Sequence, residues 1–152
     1  PAIRLSYMVL PEPLLDVYDK KSRFVNSTVS KVDQLIVQKF IEEGYYERHL
    51  NKTRALYKSR HDVLIEELKP LLDICTISGE HAGVHLLLTF ANGLTEKELI
   101  RRAQEKDIRV YGLSDYMIRY PKESSHTVLL GYANLTEEQI REAVRILTGC
   151  WR

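Results

Sequence analysis

The sequence has no excess of charge of one sign: 22 lysines and arginines stand against 21 aspartates and glutamates, for a formal net charge of +1. A domain that binds nucleic acid or an anionic membrane usually presents a basic face, and balanced charge gives no support for one. We therefore expect no direct DNA binding and no membrane contact by these residues.

Long apolar runs and cysteines are scarce as well. No stretch of about 20 apolar residues is long enough to span a membrane, and no secretory signal pattern is present. The two cysteines, Cys75 and Cys150, lie far apart without metal-ligand spacing. We expect reduced thiols in a cytoplasmic protein, and the 152 residues suffice for a domain with its own core.

Patterns that carry catalysis or metal binding are also missing. The five histidines are spread along the chain, and only His81 and His85 are close. That pair would suit a metal on a helix, but here it straddles a glycine loop and a strand. There is no glycine-rich phosphate loop, no nucleophile elbow and no pair of carboxylates flanking an evident cleft. The residues alone therefore predict neither a metal site nor a complete catalytic set.

The clearest pattern that is present runs from residue 78 to residue 90. Alternate residues there are apolar, namely Val84, Leu86, Leu88 and Phe90, which is typical of a strand buried on at least one face. We expect it to be a central strand. Gly79 and Gly83 before it suit a tight loop that could approach a ligand, although a plain surface loop is the simpler interpretation.

Helical signals surround this strand. Apolar residues spaced three and four apart predict helices over residues 28–43 and from Tyr46 toward Asp73, with Gly44 between them. Pro11-Glu12-Pro13 favours a short helix to about Lys20. Capping boxes, in which two side chains satisfy backbone donors reciprocally, open two further helices at Thr95 and Thr136.

Three more apolar runs predict strands at residues 74–77, 108–113 and 127–132, with a polar loop over residues 114–125. Strands separated by amphipathic helices predict an α/β (α+β) domain of two layers, with the helices on one face of a small mixed or antiparallel sheet. Residues 3–10 also alternate like a strand, but the chain enters it abruptly. We expect a piece of a longer protein in which this segment is the least settled part.

One loop could bind a small polar molecule. Asp115 and Arg119 lie among Tyr111, Tyr116 and Tyr120, and aromatic side chains shape pockets in which charges orient a ligand. A solvated loop explains the same residues equally well.

Five stretches in order resemble MocR- and GabR-type regulators of the GntR superfamily. They are PAIRLSYMVLP at 1–11, FIEEGYYERHL at 40–50, GEHAGVH at 79–85, RVYGLS at 109–114 and LGYANL at 130–135. In that family a winged-helix DNA-binding domain precedes a body like a fold-type I aminotransferase, which binds pyridoxal 5′-phosphate (PLP) and an amino-acid-like effector. The resemblance implies a last strand of the large domain plus a linker helix at residues 1–26 and the small domain at residues 27–152.

Several roles follow from the resemblance alone. Arg4 matches the arginine that contacts the PLP phosphate, a contact that suits a guanidinium. The lysine that binds PLP and the DNA-binding domain lie before residue 1, so this piece is expected to hold no PLP by itself and to have no enzyme activity. The parent protein is expected to be a homodimer that binds DNA through its winged helix.

The implied effector-binding residues are His81, Ser114, Asp115 and Arg119. GabR-type members carry, at the position of Asp115, an arginine that binds the effector's carboxylate. An acid there favours an ammonium or hydroxyl group instead, with Arg119 as a possible carboxylate anchor. The alternative function is the C-terminal part of a PLP-dependent aminotransferase, since the cofactor serves both classes of protein.

Overall fold

The sheet, as far as the structure describes the chain, has four strands in the order β1-β2-β4-β3, and each neighbouring pair is antiparallel. The strands are β1 Cys75–Ser78, β2 His85–Phe90, β3 Tyr111–Gly112 and β4 Thr127–Gly131. This computed structural model describes residues 3–22, 24–81, 83–118 and 125–152. The predicted central strand is confirmed, because β2 lies between β1 and β4.

The helices, within the same described ranges, are α1 Glu12–Ser22, α2 Lys31–Glu42, α3 Tyr45–Leu68, α4 Glu96–Gln104 and α5 Glu137–Trp151. Helix α2 begins three residues later than predicted because Ser30 is its N-cap, and Ser30 Oγ accepts from the Asp33 N–H at 3.1 Å. Gly44 separates α2 from α3 in the left-handed region, with φ of 74°.

The chain divides into two compact units, residues 1–51 and 52–152. In the first unit, no side chain of α1 or α2 is buried. Residues 4–11 form no strand despite their alternating pattern, and Tyr7 and Val9 are 88% and 83% exposed. The segment is irregular, as expected for an extended stretch whose backbone has no strand to pair with. The division predicted after residue 26 remains a prediction.

The second unit holds the buried core. One face of the sheet contributes Leu86, Leu88, Phe90, Val128 and Leu130, and the covering helices contribute Leu64, Leu68, Leu99, Ala103, Ile140, Val144, Leu147 and Trp151. The Trp151 indole N–H donates to the Leu99 carbonyl at 2.9 Å, and its ring packs edge-on against Phe90. The predicted two-layer α/β class, with helices on one face of an antiparallel sheet, is confirmed.

The region after α4 differs from the prediction in extent and in detail. The strand predicted at residues 108–113 is reduced to β3, because the Ile108 N–H still donates to Ala103 O of α4 at 3.0 Å and Leu113–Tyr116 form a 3₁₀ turn. The polar loop predicted over residues 114–125 begins within this 3₁₀ turn, and the residues at its two ends are buried. Ser114 and Ser125 are 2% and 0% exposed.

Candidate functional site

The predicted site residues lie in different parts of the chain. Arg4 is exposed, in the first unit, and has a left-handed φ of 55°. His81 is in the loop between β1 and β2, with its side chain 94% exposed and Nε2 3.8 Å from a Glu80 carboxylate oxygen. Ser114 and Asp115 are in the 3₁₀ turn after β3. Arg119 lies outside the described residues.

The sheet register places His81 at the opposite end from Asp115. His85 at the start of β2 pairs with Gly131 at the end of β4, whereas Gly112 of β3 pairs with Val128 near the start of β4. The β1–β2 loop and the turn after β3 are therefore separated by roughly the length of a six-residue strand, about 17 Å at 3.3 Å per residue. A single small effector does not reach both within this chain.

A buried carboxylate lies beside the turn that carries Ser114 and Asp115. Glu96, in the first turn of α4, is 3% exposed. Its Oε2 accepts the Ser114 backbone N–H at 3.1 Å and the Ser125 hydroxyl at 2.6 Å, and its Oε1 accepts the Ser114 hydroxyl. The Glu96 backbone N–H also donates to the Ser125 carbonyl at 2.8 Å. One side chain thus joins α4 to both ends of the 114–125 segment.

The environment of Glu96 favours the ionised carboxylate. Burial alone raises the pKa of the group by disfavouring its charge, but the hydrogen bonds from the Ser114 and Ser125 hydroxyls and from the backbone of Ser114 and Leu113 more than offset this and hold the pKa below its usual value. Glu96 therefore acts as a charged acceptor that caps the 3₁₀ turn.

Gly112 makes room for this arrangement. A Cβ built on Gly112 would lie 2.5 Å from Cδ and 3.1 Å from Cγ of Glu96, closer than packed carbons approach. Its φ of −82° is ordinary for any residue, so the glycine is needed for space and not for backbone conformation. The glycine and serine of the stretch RVYGLS thus both serve the contact with Glu96.

Glu96 was not singled out from the sequence, although a signal for it exists. It lies three residues before Leu99 and seven before Ala103, on the inward stripe of α4, where an acid is unusual. The predicted capping box drew attention to Glu98 instead. Only its first half forms, with Thr95 Oγ1 accepting the Glu98 N–H at 3.3 Å, because the Glu98 carboxylate pairs with Arg101 and Arg102.

The described residues contain no group of three or more histidines, cysteines or acids arranged to hold a metal ion. Among the helices within those ranges, none is both long and apolar enough to cross a membrane. Both cysteines are free thiols, and burial raises the pKa of Cys75 to about 11, with Asp73 adding to the effect.

The profile of the family described as Aminotransferase class I and II matches residues 1–147. The chain is 33% identical to YdeL, an uncharacterized HTH-type transcriptional regulator of Bacillus subtilis, and 29% identical to the probable rhizopine catabolism regulatory protein MocR of Rhizobium meliloti. These alignments cover 100% and 99% of this chain but 33% and 30% of the relatives, so the chain spans about a third of their length.

A solved enzyme has the same fold. LysN, the α-aminoadipate aminotransferase of Thermus thermophilus, superimposes with a TM-score of 0.72 and 25% identity, over 93% of this chain and 36% of that protein. That crystal structure contains N-(5′-phosphopyridoxyl)-L-leucine.

Proposed function

The chain belongs to the class I and II aminotransferase family, and from this premise we propose that it is the effector-sensing portion of a PLP-dependent transcriptional regulator of the MocR type. The observation that carries the proposal is the match to HTH-type regulators over the full chain, at 33% identity for YdeL and 29% for MocR. The longer protein would bind DNA through a winged-helix domain outside this chain and act as a homodimer in the cytoplasm.

PLP would be the cofactor of the longer protein, and Arg4 is the residue of this chain that suits it. A guanidinium offers paired donors to phosphate oxygens. Among the described residues Arg4 makes no hydrogen bond or ion pair, so its donors are available for such a contact. When bound, PLP supplies the electron-withdrawing ring for chemistry at an amino group. The part of Arg4 would be to hold and orient the phosphate.

The effector would be amino-acid-like and would lie against the turn that carries Ser114 and Asp115. The carboxylate of Asp115 would select an ammonium or hydroxyl group, and Arg119 of the same segment would offer a carboxylate anchor. His81, at the other end of the sheet, would need to meet a different part of the longer protein or of its ligand.

The alternative function, the C-terminal part of a true aminotransferase, is favoured by the likeness to LysN. The test uses the full-length product of the gene that encodes this chain, loaded with PLP. A regulator would bind DNA containing its own promoter, change that binding when one amino acid is added, and show no sustained transamination. Steady turnover of an amino acid and a keto acid, without DNA binding, would establish the enzyme and overturn the regulator.

A further inference from the structure

The two ends of the segment formed by residues 114–125 are hydrogen-bonded to the same side chain, that of Glu96. Ser114 at its start and Ser125 at its end both donate hydroxyl hydrogen bonds to the Glu96 carboxylate. The backbone adds a second bond at each end, from Ser114 N–H to Oε2 at 3.1 Å and from Glu96 N–H to Ser125 O at 2.8 Å. Both ends of the segment are therefore fixed to the first turn of α4.

The described residues just inside the segment receive little support from the core. Tyr116, Met117 and Ile118 are 62%, 44% and 101% exposed. Because these side chains bury little apolar surface, the placement of the turn depends on its hydrogen bonds to Glu96 more than on hydrophobic contacts. Gly112 then lets the Glu96 side chain lie directly against the backbone before the turn.

We propose that Glu96 is the positioning residue of the effector site, holding the turn that carries Ser114 and Asp115 at a fixed place relative to α4 and the sheet. Glu96 would not touch the effector. It would act by restricting where the Asp115 carboxylate can be, so that this carboxylate loses less conformational freedom when an effector binds. This inference rests on the proposed function for the identity of the ligand. The hydrogen bonds that attach Ser114 and Ser125 to Glu96 do not depend on that function.

The first experiment measures the attachment without any ligand. Hydrogen exchange is followed by mass spectrometry in the 152-residue chain and in its Glu96→Gln and Glu98→Gln variants. Glu98→Gln is the matched control, because it removes the same charge from the same helix at a carboxylate bound only to Arg101 and Arg102. We expect Glu96→Gln to speed exchange at residues 113–118 and 125–127 by about 10- to 100-fold, the effect of losing a hydrogen bond to a charged group.

Two outcomes of that experiment would overturn the proposal. One is exchange in Glu96→Gln that rises equally across β1, β2 and α5, which would make Glu96 a residue of general stability. The other is exchange at residues 113–118 that matches the wild type. Glu96→Asp, which keeps the charge on a shorter side chain, should restore part of the protection lost in Glu96→Gln.

The second experiment uses the full-length, PLP-loaded protein and a panel of free amino acids. We expect Glu96→Gln to raise at least tenfold the concentration of the active amino acid needed for a response, with an unchanged PLP content. The Glu98→Gln variant should respond like the wild type. An equal response in wild type and Glu96→Gln would overturn the positioning role. If no amino acid acts on the wild type, the proposed function fails, and with it the role toward an effector, whereas the exchange data still decide whether Glu96 fixes the segment.

Discussion

Glu96 accepts hydrogen bonds from buried donors on two separate parts of the chain, so its removal leaves several of them unsatisfied. Glu96→Ala leaves the Ser114 N–H and the hydroxyls of Ser114 and Ser125 without their acceptor. The site is buried, since Glu96 is 3% exposed. We expect a loss of about 2–4 kcal/mol in the free energy of unfolding. Urea unfolding followed by the fluorescence of Trp151, the single tryptophan, measures it.

The control is Glu98→Ala, which removes a surface carboxylate from the same helix and should cost less than about 1 kcal/mol. Equal losses for the two variants would show that the burial of Glu96 contributes nothing special.

Gly112 gives a second prediction at the residue scale. Gly112→Ala places a methyl group 2.5 Å from Glu96 Cδ, so either the glutamate or the turn must move, at about 1–3 kcal/mol. Gly149→Ala is the matched control, because a Cβ there meets no atom within 4 Å. Since Gly149 lies in the last turn of α5, its replacement should stabilise by less than about 1 kcal/mol. Thermal unfolding of both variants compares them; a neutral Gly112→Ala would contradict the packing argument.

Asp115 gives a prediction about ligand choice. Asp115 is exposed in this chain, and in the proposed site an effector that covers it would partly desolvate its carboxylate. Two like charges about 4 Å apart would then repel by several kcal/mol, which outweighs most single favourable contacts. Asp115→Arg in the full-length protein should therefore shift preference toward effectors with a carboxylate at that end, such as ω-amino acids. Titration of candidate amino acids, followed by the visible absorbance of PLP, tests the shift. Identical ligand profiles for the two proteins would mean that Asp115 only serves its own turn.

At the scale of elements, the two predicted capping boxes turn out unequal. Thr136 caps α5 completely: its hydroxyl accepts the Gln139 N–H at 3.2 Å, and the Gln139 side chain accepts the Thr136 N–H at 2.9 Å. At α4 only the threonine half forms. We expect Thr136→Ala to cost about 1–2 kcal/mol and Thr95→Ala about half of that.

The measurement is the midpoint of urea unfolding for both threonine variants. Gln139→Ala should lower the urea midpoint of the chain, because it removes half of the capping box of α5. Glu98→Ala should not lower the midpoint through the loss of a cap, because the Glu98 carboxylate does not cap α4. A larger loss for Thr95→Ala than for Thr136→Ala would contradict the difference between the boxes.

The elements that the sequence predicted well are those whose signal is local. Helices α4 and α5 start at the threonines that cap them, and β2 and β4 follow from alternation of residues such as Leu86, Leu88, Val128 and Leu130. Strand β3 was overestimated because its apolar residues are buried without pairing: Val110 is 5% exposed but precedes the strand. Burial and strand pairing give the same pattern in a sequence.

The candidate site was harder to predict because its contacts are distant along the chain. Glu96 meets residues 18 and 29 positions later, and no periodic pattern connects them. The acid on the inward face of α4 was the available signal. It identifies Glu96 as unusual but does not indicate that Ser114 and Ser125 are its partners. The family resemblance pointed to the stretch from Arg109 to Ser114, and the structure supplies a physical reason for its glycine and serine.

At the scale of the whole molecule, burial is concentrated in one unit. The core cluster runs from Leu64 to Trp151 and lies within residues 52–152, whereas α1 and α2 bury no side chain. Large apolar residues of α2, such as Val32, Leu35 and Ile36, are 66%, 59% and 55% exposed. Contiguous exposed apolar residues of this kind are typical of surfaces that another part of a protein covers.

The last prediction concerns the first 29 residues. Their deletion removes α1 and the irregular segment before it but leaves Ser30 to cap α2, and it removes no buried side chain from the described core. Because stability follows the apolar surface that folding buries, the free energy of unfolding should change by less than about 1 kcal/mol. Trp151 packs against Phe90 and donates a hydrogen bond to the Leu99 carbonyl, so its fluorescence reports unfolding of the core in the intact and the shortened chain. Leu68→Ala is the matched variant within the core: Leu68 is 0% exposed, and its truncation should cost about 2–5 kcal/mol. If the deletion lowers the free energy of unfolding as much as Leu68→Ala does, residues 1–29 stabilise the core. The two units would then not be independent in stability.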